Sequence, residues 1–309
     1  MELCYQELSE ILGNCRRIFE NSVRSFLRRL GTYTSDRMGA FGLTLLVICA
    51  SLAFLGPWIA PYEPFAVNYR DDGSVIRLQP PSQEHWLGTN NIGADVFSQW
   101  ILGFRMAVVI GALSALGSVM IGTNVGLISG YFGGWIDQLL MRLTDLVYGI
   151  PFVPFALIFL ALAGPSVGNI VLVIILFLWR TTARVVRSQV LSLKERPFVW
   201  GARAIGASNL RIIYLHIAPN VLPLAFLYVA LGVASGVLLE AGLSFLGFGD
   251  PLVPTWGQML NGAFVSGATR RAWWWVLPPG IALSLFVSAT YMVTRAYEEI
   301  LNPRLREQS

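Results

Sequence analysis

The sequence predicts an all-α membrane protein, with six transmembrane helices preceded by an amphipathic helix lying in the membrane interface. Three observations carry this. Of 309 residues, 55% are hydrophobic and 13% are charged, and the mean hydropathy is +0.60; soluble domains carry about 25% charged residues. Apolar stretches near the roughly 20 residues a helix needs to cross hydrocarbon recur along the chain. Basic residues are segregated, 17 of the 22 falling on one side of the spans counted this way; the side richer in Lys and Arg is the cytoplasm.

Residues 1–37 form the first element. Leu8, Ile11, Leu12, Cys15, Ile18, Phe19, Val23, Phe26, Leu27 and Leu30 recur at three-to-four spacing, with arginines on the other face. This is the pattern of a helix lying in the inner interface, as an anchor for the first span or as a partner-binding helix. The first run long enough to insert begins near Met38 without a cleavage site, and reads as an uncleaved span.

The spans follow in order: Met38–Ala60, Met106–Phe132, a third beginning near Ile136, Val167–Val186, Ile212–Leu239 and Ala272–Thr294. The third and fourth are divided by the turn-like Gly164, Pro165 and Ser166. With an even number of crossings, both termini are expected in the cytoplasm, and residues 304–309 form a cytoplasmic tail. Outside lie a long segment, 61–103, and a shorter one, 247–271, followed by Trp273, Trp274 and Trp275 where an interfacial aromatic belt is expected.

Within the spans, Gly122, Gly126 and Gly130 recur every four residues, a spacing that lets helix backbones approach closely. They mark a packing face or line a substrate path. Pro151 and Pro154 remove backbone donors from the third span, giving a passive kink or the border of a cavity. Glu240, near the outer end of the fifth span, lines a pore or reaches polar neighbours at the interface. Cys4, Cys15 and Cys49 have no metal spacing, and the two histidines, His85 and His216, supply neither a metal site nor a Ser/His/Asp triad. No metal, cofactor or nucleic-acid partner is expected.

The cytoplasmic loop 187–211 reads as helix, break, helix. Pro197 suits a first helical turn. Phe198, Trp200, Gly201, Ala202, Arg203, Ala204 and Ile205 follow, Gly206 permits a turn, and Ser208 or Asn209 caps the helix that contains Arg211. A short helix bearing small residues beside a glycine fits a groove of another protein; the alternative is a solvated connector.

This loop resembles the signature of ABC-importer permeases: Glu-Ala-Ala, three residues, Gly, then about ten residues to an Ile-x-Pro ending. Gly201, Ala202 and Gly206 match it with Gly in place of the first Ala, and Ile217, Ala218 and Pro219 match the ending. The runs His85–Ser98 (HWLGTNNIGADVFS), Gly130–Asp137 (GYFGGWID), Leu243–Gly249 (LSFLGFG) and Pro254–Leu260 (PTWGQML) are similar to segments of the dipeptide, oligopeptide and nickel group. The resemblance covers about residues 38–303 and looks most like the second, C-type permease of such systems. It implies a type I importer architecture and a non-catalytic half-pore in the cell membrane, surrounded by lipid. A homologous permease would complete the pore, two ATP-binding subunits would take the Arg196–Arg211 helices in their grooves, and an extracytoplasmic binding protein would deliver substrate. ATP hydrolysis belongs to those partners, since the chain has no phosphate-binding Gly-x-x-x-x-Gly-Lys-Ser/Thr loop.

Two positions depart from the pattern. Trp200 stands where the family carries an acid, which removes any salt bridge from there to the ATPase. The tail from Arg295 to Leu305 replaces the usual glycine- and aspartate-rich ending. Peptide is the implied cargo, with nickel or another small solute as the alternative. An intramembrane protease built on Gly247 to Asp250 lacks a second membrane aspartate. An ion-coupled transporter would have only Glu240 to work with.

Overall fold

The structure, a computed structural model, describes residues 37–301. The expected interfacial helix and the tail 304–309 lie outside the described residues. The helices, in order, are α1 (Arg37–Ile59), α2 (Val96–Phe132), α3 (Gly134–Gly149), α4 (Phe152–Ala163), α5 (Val167–Leu193), α6 (Pro197–Ala204), α7 (Asn209–Phe248), α8 (Trp256–Val265) and α9 (Trp273–Leu301). Among them α1, α2, α5, α7 and α9 are each long and apolar enough to cross a membrane, whereas α3 and α4 reach that test only as a pair bent by 86°.

Side-chain contacts show how the helices run. On α2, Gly117 meets Ile175, Gly122 meets Trp179 and Thr182, Gly126 meets Ala183 and Val186, and Gly130 meets Val190, so α2 and α5 are parallel. Helix α7 opposes α2: Tyr131 bonds Asn209, Asn124 bonds Tyr214, and Gly111 packs on Val237. On α1, Gly56 meets Ile101 and Gly42 meets Met292, while Trp100 bonds Pro278 of α9. Because α2 and α5 are parallel, the chain between them must return to the starting end. The pair α3–α4 makes that return, touching α5 progressively from Arg187 (by Asp137) through Thr181 (by Tyr148) and Phe177 (by Phe152) to Asn169 (by Ala163). With the bent pair counted as one crossing, the described residues therefore traverse the bundle six times. The α6 segment, Arg37 and Leu301 gather at one end; segments 60–95 and 249–272 form the other.

Several boundaries differ from the sequence reading. Helix α2 starts ten residues before Met106, because Asp95 caps it by accepting from the Ser98 backbone N–H at 2.7 Å. Residues 96–103 are thus helical rather than part of an irregular external segment. Their polar side chains hold the 60–95 segment in place: Gln99 donates to the Pro64 carbonyl at 2.6 Å, and Ser98 Oγ accepts from the Tyr62 N–H at 3.2 Å. The third span is two helices instead of one. Ile150 is extended, as a residue before proline tends to be, and Pro151 caps α4 in an extended conformation. Pro154 falls in the first turn of α4, where its missing N–H costs little. Helix α5 continues past Val186 to Leu193, taking Arg187 out of the loop, and α7 begins at Asn209 and runs beyond Leu239 to Phe248.

At the far end, α8 is a helix that hydropathy does not mark. Trp274 and Trp275 are buried beside Trp256, Phe104 and Phe286 rather than forming a surface belt, and only Trp273 is exposed. Trp274 donates to the Thr89 carbonyl and Trp256 to that of Trp100, so the aromatics tie α8 and α9 to the start of α2.

Candidate functional site

The loop between α5 and α7 is held by its own backbone. Pro197 opens α6 in its first turn, where no donor is missed. At the other end the Gly206 N–H donates to the Arg203 carbonyl and the Ala207 N–H to that of Ala202, each at 3.1 Å. This double bond pattern is the Schellman ending, which needs a left-handed residue; Gly206 supplies it with φ of +83°. Ser208 then caps α7, its Oγ accepting from the Arg211 N–H. Only residues 205–208 separate the two helices, so α6 has a defined stop and α7 a defined start.

One face of α6 is anchored. Val199 and Ala202 are buried against Leu127, Tyr131, Val186, Val190, Ile212, Ile213 and Ile217. Burying a valine fully contributes about 1.5–3 kcal/mol. The Arg203 guanidinium lies 5.8 Å from the Tyr131 ring, and the Tyr131 hydroxyl donates to Asn209 at 2.8 Å. The end of α2 thus buttresses both sides of the loop, a tie that spacing within the loop could not reveal.

The other face is open. Phe198 is 43% exposed, Trp200 57%, Ile205 85% and Leu210 58%. Nothing approaches within 4 Å of a Cβ placed on Gly201 or Gly206, and Ala204 is exposed beside them. The open face is thus a projecting apolar cluster set among small residues on a fixed base. The Trp200 side chain is part of that exposed face.

Next to it lies a charged joint. Arg187 of α5 grips Asp137 of α3 with two bonds of 2.6 Å, Nε to Oδ1 and Nη2 to Oδ2, and the Ser129 hydroxyl donates to the same carboxylate. Arg184 pairs with Asp145 at 2.6 Å and lies over the Tyr148 ring, as does Arg180. Of these arginines only Arg187 falls in the loop expected at 187–211; all three lie on α5 and fasten α3 to it.

The remaining candidates are elsewhere. Gly122, Gly126 and Gly130 form the α2–α5 contact, with a Cβ at Gly126 only 2.7 Å from the Ala183 carbonyl. Pro151 and Pro154 are exposed at the bend and start of α4. Glu240 is 4% exposed, and its Oε1 accepts from the Ser244 hydroxyl at 2.6 Å, so its carboxylate is engaged inside the chain. Asp250 likewise accepts from the Val167 and Leu252 N–H groups, capping α5. At the same end, buried His85 and Asp95 bond at 2.9 Å. The Ser98 hydroxyl donates to Asp95 and not to His85, so the three make a structural cap rather than an activated nucleophile. Among the described residues no three His, Cys, Asp or Glu side chains converge to hold a metal ion.

Comparison with known proteins agrees with this layout. Residues 122–307 match the family described as binding-protein-dependent transport system inner membrane component, and residues 25–81 match the N-terminal TM domain of oligopeptide transport permease C. The chain is 33% identical to a dipeptide transport system permease protein of Alkalihalophilus pseudofirmus, over 88% of this chain and 87% of that one. It is 36% identical to an oligopeptide transport system permease protein of Mycobacterium bovis, over 86% and 88%. A glutathione transport system permease protein of Pectobacterium atrosepticum is 32% identical over 92% and 91%. Among solved structures, a chain of the inward-facing MetNI methionine ABC transporter aligns with a TM-score of 0.51 and 17% identity, covering 66% of this chain and 95% of that one; this is a likeness of fold.

Proposed function

This chain belongs to the family of binding-protein-dependent transport system inner membrane components, and we propose that it forms one half of the membrane pore of an ATP-driven importer of di- or oligopeptides. A homologous permease completes the pore. The α6 end faces the cytoplasm, so both termini are cytoplasmic, as the arginine distribution supports. An extracytoplasmic binding protein delivers substrate to the opposite end, formed by residues 60–95 and 249–272. The chain is non-catalytic; two ATP-binding subunits hydrolyse ATP. A peptide cargo is supported by the dipeptide, oligopeptide and glutathione permeases that the sequence resembles along most of its length.

The observation that carries this reading is the exposed cluster of Phe198, Trp200, Ile205 and Leu210 on a helix fixed from beneath by Val199 and Ala202. Movement of a docked ATPase is transmitted because α6 joins α5 directly to α7, two helices that pack on α2 along its length. Where the family has an acid, Trp200 supplies apolar area; burying it in an ATPase groove contributes about 1–3 kcal/mol. The test is a single cysteine at Ile205 in the assembled complex, after replacement of the native cysteines. Cross-linking to an ATP-binding subunit, altered by nucleotide, is the expected result. Labelling of Ile205→Cys by small reagents only, with no ATP-binding subunit co-purifying, would overturn it.

A further inference from the structure

Between α1 and α2, open to the surface, lies a slot of about 480 Å³, within the roughly 300–1,000 Å³ range of ligand sites. Its walls are Ala50, Ala53, Phe54, Pro57 and Trp58 of α1 and Arg105, Val108 and Val109 of α2. Phe54 and Trp58 are 70% and 73% exposed, their rings 5.3 Å apart. Arg105 is exposed in the slot, and no carboxylate, hydrogen bond or aromatic ring engages its guanidinium among the described residues.

The position of Arg105 is unusual for a free cation. Ile101 is level with Gly56 of α1, and Arg105 is one turn further into the bundle. It therefore lies roughly two turns below the end of a membrane-crossing helix. An ionisable side chain there calls for a partner, and arginine reaches the headgroup level by extending along the apolar wall. Trp58, at the end of α1, is the residue type that marks that level.

We propose that the slot holds an anionic phospholipid, with the phosphate on Arg105 and an acyl chain along Ala50, Ala53 and Val109. Three features favour lipid over a neighbouring subunit. The small residues Ala50 and Ala53 make a slot running along the helix, shaped for a chain. The charge sits at headgroup depth rather than mid-membrane. Among the described residues helix α1 packs chiefly on α2 and α9, at the edge of the bundle, and lies outside the residues 122–307 that match the inner membrane component family.

The experiment uses the full chain, purified with the subunits that accompany it, in bilayers mixing phosphatidylglycerol with phosphatidylcholine. Lipid retained after delipidation is measured by native mass spectrometry. The wild type should retain phosphatidylglycerol about five-fold over its share of the bilayer, the weight of one arginine near an anionic lipid. Arg105→Gln should abolish the preference, Arg105→Lys should keep most of it, and Ala50→Phe, which fills the slot from an exposed position, should lower retention of both lipids. A photo-reactive residue at Trp58 should label phospholipid. Equal enrichment in wild type and Arg105→Gln would overturn the proposal. Labelling of another protein subunit from position 58 would do the same, making the slot a subunit contact.

Discussion

Gly206 is the residue whose chemistry is most tightly set by its place. Its φ of +83° completes the turn after α6, and open space surrounds it. A side chain there strains the backbone by about 1–2 kcal/mol without a clash. Gly206→Leu should therefore leave the protein in the membrane at near normal level while abolishing ATP-driven uptake, read by transport of labelled peptide beside an immunoblot. Normal uptake would remove the loop from the coupling path. Asp137 serves stability instead. It takes two charge-assisted bonds from Arg187, with side chains 15% and 32% exposed. Asp137→Asn should cost about 1–2 kcal/mol after allowing for solvent, lowering the thermal midpoint of the purified complex. In a double-mutant cycle, Arg187→Gln should add little to Asp137→Asn, because both remove one interaction. The sequence marked the arginine as cytoplasmic charge and placed Asp137 on a similar motif; their partnership spans 50 residues and required the fold.

At the scale of elements, the parallel pair α2–α5 is the spine of the molecule, and it depends on glycine. Backbones approach until a Cβ at Gly126 meets Ala183 and Val186 at 2.7 Å. Gly126→Leu should push the helices apart at a cost of about 1–3 kcal/mol or more, with less folded protein in membranes and a lower thermal midpoint; Gly134→Ala, with nothing within 4 Å, should preserve both packing readouts apart from its own positive-φ strain. The packing pattern was readable because small residues at i, i+4 and i+8 have few other uses in a membrane helix. Helix ends were less readable. Hydropathy registers where apolar character stops, but α2 continues as a helix through Gln99 and Ser98, whose polar groups are satisfied by the 60–95 segment. Trp274 and Trp275 misled for a related reason: tryptophan suits both an interface and a core, and only the position of α8 and Thr89 makes this site a core.

For the whole molecule, six traversals put Arg37, the α6 loop and Leu301 at one end. In a chain freed of its native cysteines, Arg196→Cys should react with an impermeant thiol reagent only after the membrane is opened, and Arg70→Cys should react in intact cells. The opposite pattern would invert the proposed orientation. The sequence by itself determined the solvent of this protein, its succession of membrane-length apolar helices, the glycine face and the short helix within the 187–211 loop. Each follows from local composition or short spacing, where transfer free energy and backbone geometry act residue by residue. The tertiary structure alone decided that the third crossing is two helices bent by 86°, that Glu240 is engaged with Ser244, and that α6 stands on the end of α2. Those outcomes depend on contacts between residues distant in sequence, which form only when the helices have chosen their neighbours.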